Sequence, residues 1–452
     1  MKNNLKNKNV LVYGLGKSGI SAYELLKNKK ANVHTFDDIR YPNKALTCDL
    51  KTLDFAVVSP GIPPTAQLYQ KLIKNNVKII SEIELAHMFL KGKIIAITGT
   101  NGKTTTVSLL GEIYKKATKH KKVFVCGNIG IPLTKIVNKT TKKSVIILEI
   151  SSFQLERIEN FHAHTASILN LAPDHLDRYS NFEEYIFAKQ KIFNNQSMMD
   201  YAILNYNDKN SKKFINEIPS KVRFFSIKNE ENNKNFKGVF CKDNKIFFKD
   251  KSSEFLMSTS KIKLLGKKNL ENILCAVLIA YLENLDVKKI AFAVENFAPL
   301  PNRLEIVKIE NNITYINDSK ATNIASAVAD LNAIMGKKIA LFGGSDKGED
   351  FSVLAKNLPK SVEKAIIYGK TAKKMEKAFK NFGINNFVKF KSFDEAVNHS
   401  IKLAKTYKQK VSVILAPACA SFDEFTSYEE RGKAFKKLVI LKDVNEQGKI
   451  GK

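Results

Sequence analysis

Long apolar runs are missing from this chain. No stretch approaches the ~20 consecutive apolar residues a membrane helix needs, so no insertion into a membrane is expected. The opening MKNNLKNKNVLVYGLG is basic and then apolar, as a secretory signal is. Its apolar part is too short for that role and is broken by glycines with a better use. Paired cysteines are missing too. The five present (Cys48, Cys126, Cys241, Cys275, Cys419) are far apart, odd in number and form no C-x-x-C, which argues against a disulfide framework or zinc site. They fit a reducing cytosol, and a cytoplasmic location is expected. Acidic residues are in deficit: 74 Lys+Arg against 44 Asp+Glu leave a formal charge of +30. The excess runs along the whole chain, mostly as Lys alternating with Asn, and no zinc-finger or RNP-type motif accompanies it. It reads as a solvated lysine-rich surface that attracts anionic substrates, with no nucleic-acid partner expected.

What is present is α/β alternation. At 452 residues the chain exceeds a single core and implies two to four domains. Its pivotal stretch is residues 93–106, KIIAITGTNGKTTT. A short apolar run leads into Gly99-Thr100-Asn101-Gly102-Lys103-Thr104-Thr105, and Val107, Leu109, Leu110 and Ile113 then recur at helical spacing. Strand, glycine loop, Lys-Thr and helix form a cradle for a triphosphate: the glycines turn backbone N–H groups toward phosphate oxygens, and the helix N-terminus adds partial positive charge. Lys103 is expected on the β/γ-phosphates and the Thr104 hydroxyl on magnesium. The loop is a shorter variant of the usual phosphate motif, with Ile97 where the first glycine would stand. It reads as an ATP site.

Upstream, residues 9–14 (NVLVYG) form a buried strand followed by Gly14-Leu15-Gly16-Lys17-Ser18-Gly19 and an amphipathic helix, with Asp37-Asp38 ending a second strand. Such a G-x-G-x-x-G readies a helix N-terminus for a diphosphate and places a carboxylate near a ribose, which suits NAD and a UDP-sugar equally. Ser59-Pro60-Gly61 ends another strand where a ligand would lie. Downstream, residues 123–126 run into Gly127-Asn128, and the apolar run 144–149 ends at Glu149, an acid well placed to hold Mg²⁺ on the nucleotide. His175 stands between Asp174 and Asp177 after a further strand, and residues 182–193 read as a helix with Lys189 near its middle. Residues 208–255 read as exposed hairpins without chemistry. A Pro-punctuated linker, NFAPLPNR (296–303), precedes a third run of strands ending in polar loops: Asp318–Asn323, Gly343–Gly348 and Ala416–Ser421 in one-letter form DSKATN, GGSDKG and APACAS. The last dozen residues read as a frayed tail. The expected fold is α/β in three domains: a Rossmann-like one (1–91), a central P-loop domain with a parallel sheet (92–298), and a second Rossmann-like one (299–452).

Taken together, GTNGKTT, EISSFQLE (149–156), DHLDRY (174–179), INDSKATN (316–323) and APACASFDEFTSYEERG (416–432) resemble the Mur ligases, the ATP-dependent amino-acid ligases of peptidoglycan synthesis. GTNGKTT alone would fit a folylpolyglutamate synthase as well. The longer motifs resemble the branch that joins D-glutamate to UDP-N-acetylmuramoyl-L-alanine, and the D-N-P-R of the diaminopimelate- or lysine-adding branch is absent. The resemblance runs from Gly14 to about Phe435. It implies ligation through an acyl phosphate, giving ADP and phosphate, and it settles the first glycine motif on a UDP-sugar.

By this resemblance Lys17, Ser18, Asp37 and Gly61, with Asn128, hold the UDP-sugar. ATP lies on Gly99, Thr100, Asn101, Gly102, Lys103, Thr104 and Thr105, with Asn269, Asn272, Arg303 and Asp318 at adenine, ribose and phosphates. Lys320 is close to the transferred phosphoryl group. Thr322, Lys347, Ser421 and Tyr428 hold the D-glutamate carboxylates. Two Mg²⁺ ions are implied, one on Thr104 and Glu149 and one on Glu149, His175 and a carbamate made from CO₂ on Lys189. Lys103, His175, Lys189 and Lys320 carry the catalysis, and a monomer is expected. The chain departs from the family with Lys268 and Asn302 where histidines are usual, Lys17 where an apolar residue is common, and Tyr428 where Phe is frequent. A Rossmann oxidoreductase, another ligase of the same type and a nucleic-acid-dependent NTPase remain the rivals.

Overall fold

Parallel sheets whose strands are apolar on both faces need cover on both sides, and the first sheet follows that rule. Strands β1 (Asn9–Tyr13), β2 (Asn32–Phe36), β3 (Phe55–Val58) and β4 (Ile79–Ile80) pair in the order β2-β1-β3-β4, all parallel. Val10 and Val12 pack with Ala22, Leu25 and Leu26 of the helix Lys17–Asn28. Leu11 and Tyr13 face the other way, onto Leu68 and Leu72 of the helix Gln67–Lys74. The computed structural model describes residues 4–38, 40–41, 46, 48–118, 122–175, 178–264, 266–346 and 348–447, the last seven by backbone alone.

The second sheet has nine strands: β5 (Lys93–Thr98), β6 (Val123–Gly127), β7 (Val145–Glu149), β8 (Thr165–Ile168), β9 (Tyr201–Asn205), β10 (Lys221–Ser226), β11 (Gly238–Lys242), β12 (Lys245–Lys249) and β13 (Ser253–Ser258). Their order is β13-β12-β11-β10-β9-β8-β5-β7-β6. Pairing is parallel from β6 to β11 and antiparallel only at the β11–β12–β13 end. The expectation of exposed hairpins over residues 208–255 is therefore corrected. β10 and β11 extend the parallel sheet, because Phe225, Val239 and Phe240 are buried and Phe224, Phe236 and Tyr206 form an aromatic cluster beside them. The hairpin expectation holds only for β11–β12, turning on Asp243 and Asn244, both at positive φ, and for β12–β13.

The third sheet comprises β14 (Glu305–Glu310), β15 (Ile313–Asn317), β16 (Lys337–Gly343), β17 (Val362–Tyr368), β18 (Phe387–Lys389) and β19 (Val411–Leu415), in the order β14-β15-β19-β16-β17-β18 with β14 alone antiparallel. Helices Ile324–Ala333, Phe351–Lys356 and Ala372–Asn381 cover one face, and Phe393–Ala404 and Tyr428–Gln447 the other. The last of these continues through residues 441–447, where a frayed tail was expected. The α/β class and the three sheet groups agree with the sequence reading. By compactness the chain forms two units: residues up to 262 with 269–297 carry the first two sheets, and 263–268 with 298 onward carry the third.

Within the first unit, two buried glutamates of the helix Glu82–His87 fasten the first sheet to the second. Glu84 accepts the backbone N–H groups of Glu159, Asn160 and Phe161 at 2.9, 2.8 and 3.0 Å. Glu82 Oε1 accepts both the amide and the hydroxyl of Thr134 at 2.6 Å, and that hydroxyl also meets Ser21 Oγ at 2.8 Å. Complete burial pushes the Glu82 carboxyl up to about 7 against those hydrogen bonds.

Candidate functional site

The β5 end and the helix Lys103–Ala117 produce the expected cradle. Gly99 and Gly102 have φ of +146° and +86°, which L side chains rarely adopt. A Cβ on Gly102 would also lie 2.1 Å from Asn272 Oδ1, so the loop and Asn272 are packed against each other. Asn269 Oδ1 lies 3.5 Å from Asn272 Nδ2. The Thr100 hydroxyl meets Ala172 O and Tyr185 Oη at 3.1 Å each, and the Asn101 amide donates to Asn170 Oδ1 at 2.9 Å. Thr104 and Thr105 form the first helical turn, Thr104 half-buried and Thr105 buried.

Two ammonium groups converge on this loop. Lys103 Nζ folds back to donate to Gly99 O and Thr100 O at 2.7 and 2.9 Å. Lys189 is only 2% exposed, and its Nζ donates to Gly99 O at 3.2 Å and Thr98 Oγ1 at 3.4 Å, 4.6 Å from the Tyr185 ring centroid. Burial, reinforced by the charge of Lys103, pushes the Lys189 ammonium well below the usual lysine value, while Asp174 and Glu149 oppose the shift. A lysine inclined to be neutral presents the amine form that CO₂ can add to.

Glu149 closes β7 beside them, also 2% exposed. Its Oε1 accepts from Asn128 Nδ2 at 2.9 Å, whereas Oε2 is buried without a protein hydrogen bond. Such an orphaned acceptor fits a cation. His175 sits at φ +55°, with Nε2 3.7 Å from Asp174 Oδ2 and its ring edge-on to Phe153 at 4.7 Å. Among the described residues no three His, Cys, Asp or Glu side chains cluster as a ready metal site, so the proposed set depends on Thr104 and a modified Lys189 to complete it.

At the first sheet, Gly14 takes φ +88°, and a Cβ on Gly19 would meet Gly14 O at 1.8 Å, which fixes the tight glycine turn. Asp37 is buried and accepts the Leu15 amide at 2.6 Å and the Arg40 amide at 2.8 Å. Oδ2 braces the turn, and Oδ1 holds the chain after β2. Lys17 and Ser18 open the following helix, Lys17 exposed, and Gly61 has open space around it. Asn128, expected at the UDP-sugar, donates to Glu149 Oε1 here.

In the third-sheet unit, buried Asp318 follows β15 and accepts the Leu304 amide at 3.2 Å. Burial, and then the neighbouring Asp330, hold its carboxyl well above the usual value, with Arg303 opposing. Lys320 Nζ lies 3.7 Å from the Tyr428 ring centroid, Thr322 N donates to Lys320 O at 2.8 Å, and Ser421 is buried in the loop after β19. Lys347 lies outside the described residues.

Residues 97–280 match the Mur ligase middle domain, and residues 302–419 match the glutamate ligase domain of Mur ligases. The chain is 39% identical to the UDP-N-acetylmuramoylalanine–D-glutamate ligase of Lachnoclostridium phytofermentans, over 97% of its own length and 100% of that protein's. This chain belongs to the Mur ligase family. A protein of the same name from Alkaliphilus metalliredigens is 37% identical over 96% of this chain and 98% of that one. Among solved structures, the fold is shared by a pseudomurein peptide ligase type C from Methanothermus fervidus (TM-score 0.61, 20% identity, 96% of this chain, 99% of that one). It is also shared by the MurF ligase of Thermotoga maritima in complex with ADP (TM-score 0.58, 16% identity, 97% and 96%).

This Mur ligase carries site-shaping residues that reasoning from the sequence missed, and three are arginines. Arg431 is 0% exposed; its Nε donates to Ser319 Oγ at 3.0 Å and its Nη2 to Ser319 O and Cys419 O at 2.9 and 3.0 Å. Its Nη1 reaches Ala420 O at 3.2 Å and Gly343 O at 3.4 Å, so one side chain ties the loops after β15, β16 and β19. Arg178 forks onto Glu156 at 3.0 and 2.6 Å and reaches Pro60 O at 3.0 Å, while Arg157 reaches Ile62 O at 3.0 Å. These two join the central motifs to the loop around Gly61. The signal was rarity: the chain has only six arginines among its 74 basic residues, and these three make forked contacts that a single lysine nitrogen cannot copy.

Proposed function

We propose that this chain is the ligase that uses ATP to join D-glutamate to UDP-N-acetylmuramoyl-L-alanine. The observation that carries the reading is the full-length similarity to relatives bearing that name. In the proposed course, the substrate's L-alanyl carboxylate attacks the γ-phosphorus of ATP and ADP leaves. The amine of D-glutamate then attacks the acyl carbon, loses its proton and expels phosphate. Both steps bring anions together, so the protein's part is positioning and charge neutralisation.

The glycine loop, Thr105 and Lys103 take the triphosphate: Lys103 exchanges its carbonyl partners for β/γ-phosphate oxygens. Asn269, Asn272, Arg303 and Asp318 take the rest of the nucleotide, and Lys320 neutralises the transferred phosphoryl group. Thr104 and Glu149 would hold one magnesium ion and Glu149, His175 and carbamylated Lys189 a second, and the ions would supply Lewis-acid polarisation. Buried Glu149 Oε2 and the low-lying Lys189 amine support that donor set. Lys17, Ser18 and Gly61 bind the UDP-sugar, with Asp37 shaping their loop and Asn128 reaching from the other side. Thr322, Lys347, Ser421 and Tyr428 form the D-glutamate end. Division into domains at 1–91, 92–298 and 299–452, a monomeric state and a cytoplasmic location complete the proposal. No described helix is long and apolar enough to cross a membrane.

Phosphate release from ATP with UDP-N-acetylmuramoyl-L-alanine and, in turn, D-glutamate, L-glutamate, L-lysine and diaminopimelate tests the reading. Release with D-glutamate alone, with a new UDP-linked dipeptide by mass, is expected. Release with another amino acid overturns the acceptor, and no release with any overturns the function.

A further inference from the structure

The turn Ser59–Ile62 is short, exposed at Gly61, and held from outside its own sheet. Ile62 N donates to Ser59 O at 3.1 Å and closes it, and Ser59 Oγ donates to Gly14 O at 2.7 Å, which joins it to the first glycine loop. The two carbonyls that flank Gly61 are each taken by an arginine of the central motifs. Arg178 Nη1 donates to Pro60 O and Arg157 Nη2 to Ile62 O, both at 3.0 Å. Arg178 is anchored on its own side of the seam: Nε and Nη2 grip Glu156 at 3.0 and 2.6 Å, and its guanidinium carbon stands 4.2 Å from the Phe153 ring centroid. Arg157 Nε donates to Tyr69 Oη at 3.2 Å. Arg157 is 7% exposed, and its Nη1 is buried without a hydrogen-bond partner among the described residues.

We propose that Arg157 and Arg178 are positioning residues for the UDP-sugar: they clamp the peptides on both sides of Gly61 and so fix how its backbone meets the diphosphate. This rests on the ligase reading above. Glycine is conformationally permissive, so a turn with Gly61 at its exposed tip does not hold one geometry by itself. Packing does not hold it either, since a Cβ at Gly61 would meet nothing within 4 Å. A binding site on such a loop needs support from a rigid neighbour, and the two arginines supply it from the segments after β7 and β8. Stability alone does not account for Arg157. A buried guanidinium nitrogen without a partner costs free energy, and a well-packed apolar side chain would avoid that cost. The Ser59–Gly14 hydrogen bond carries the setting of the turn over to the glycine loop that opens the helix with Lys17 and Ser18.

The test is calorimetric titration of the wild type, Arg157→Lys and Arg178→Lys with UDP-N-acetylmuramoyl-L-alanine and, separately, with ATP. Lysine keeps the charge, but its single nitrogen cannot fork between two partners as the guanidinium does. Each variant is expected to bind the UDP-sugar about five- to tenfold more weakly, while its ATP affinity stays within about twofold of the wild type. In turnover the KM for the UDP-sugar is expected to rise by a similar factor. If Arg178→Lys does not fold by thermal unfolding, Arg157→Lys, which leaves the grip on Glu156 intact, carries the test alone. Unchanged UDP-sugar affinity in either folded variant overturns the clamp and leaves the ligase reading standing. An equal fall in ATP affinity shows general loosening and also overturns the clamp. Wild-type protein that does not bind the UDP-sugar overturns the ligase reading and the clamp with it.

Discussion

Two loop edges in this molecule are built from the same topology and held by different cations. At the end of β5 the glycine loop is faced by two lysines, Lys103 and Lys189, whose nitrogens donate to the carbonyls of Gly99 and Thr100 and to the Thr98 hydroxyl. At the ends of β15, β16 and β19 the loops are tied by Arg431, with five hydrogen bonds to four residues. Arginine's planar fork suits a permanent clasp. Lysine's single nitrogen can trade a carbonyl for a phosphate oxygen, and when buried it can lose its proton. The lesson is a contrast between side chains: arginine fastens the loops of the third sheet, and the lysines on the glycine loop are the groups proposed to do chemistry there.

The sharpest way to break that comparison is to remove the chemistry while leaving the shape. Lys189→Ala is expected to lower kcat by about 10²–10³-fold, with thermal stability kept within a few degrees, because it removes a group that matters only when reactants are bound. A carbamate signal from ¹³C-bicarbonate, present in wild type and absent in Lys189→Ala, would sharpen the point. If activity survives Lys189→Ala, the lysine is packing. Removing the shape should do the reverse. Arg431→Lys cannot make five bonds, four to carbonyls and one to the Ser319 hydroxyl, and is expected to destabilise the third-sheet unit by about 2–4 kcal/mol in denaturant unfolding. An unchanged midpoint would show that the loops hold themselves.

Gly102→Ala tests the loop between these extremes. It adds about 1–3 kcal/mol of backbone strain at φ +86° as well as the contact with Asn272, and it is expected to weaken ATP binding in calorimetry. The smallest effect is at the seam between the first two sheets. Because the Glu82 carboxyl is raised from 4.5 to about 7 in the folded chain, its contribution is complete below 4.5 and declines as pH rises through about 7. Glu82→Gln, neutral throughout, is expected to flatten the fall in thermal midpoint across that window, and an unaltered pH dependence would remove Glu82 from the seam.

Much of this was legible in residues whose role is local. The apolar runs located the parallel strands, the glycines located both turns, and acids at strand ends located Glu149 and Asp318. Lys189 was different: position in a helix says solvated charge, and only the resemblance to a family or the fold reveals it under the phosphate loop. Asp37 and Asn128 have structural partners that motif reasoning did not show, a loop amide at Leu15 for Asp37 and the Glu149 carboxylate for Asn128, beside the ligand it expected of them. Arg431 was hidden because its partners are mostly backbone carbonyls from loops up to 112 residues away, and carbonyls leave no mark in a sequence. The β10–β11 extension was hidden by lysines and asparagines flanking its buried aromatic residues.

The most direct test of the account follows one oxygen atom. With UDP-N-acetylmuramoyl-L-alanine labelled with ¹⁸O in its alanyl carboxylate, D-glutamate and ATP, the account predicts one ¹⁸O in each phosphate released, since that oxygen bridges carbon and phosphorus before the amine attacks. Phosphate released without label, alongside normal dipeptide formation, would contradict the acyl-phosphate course.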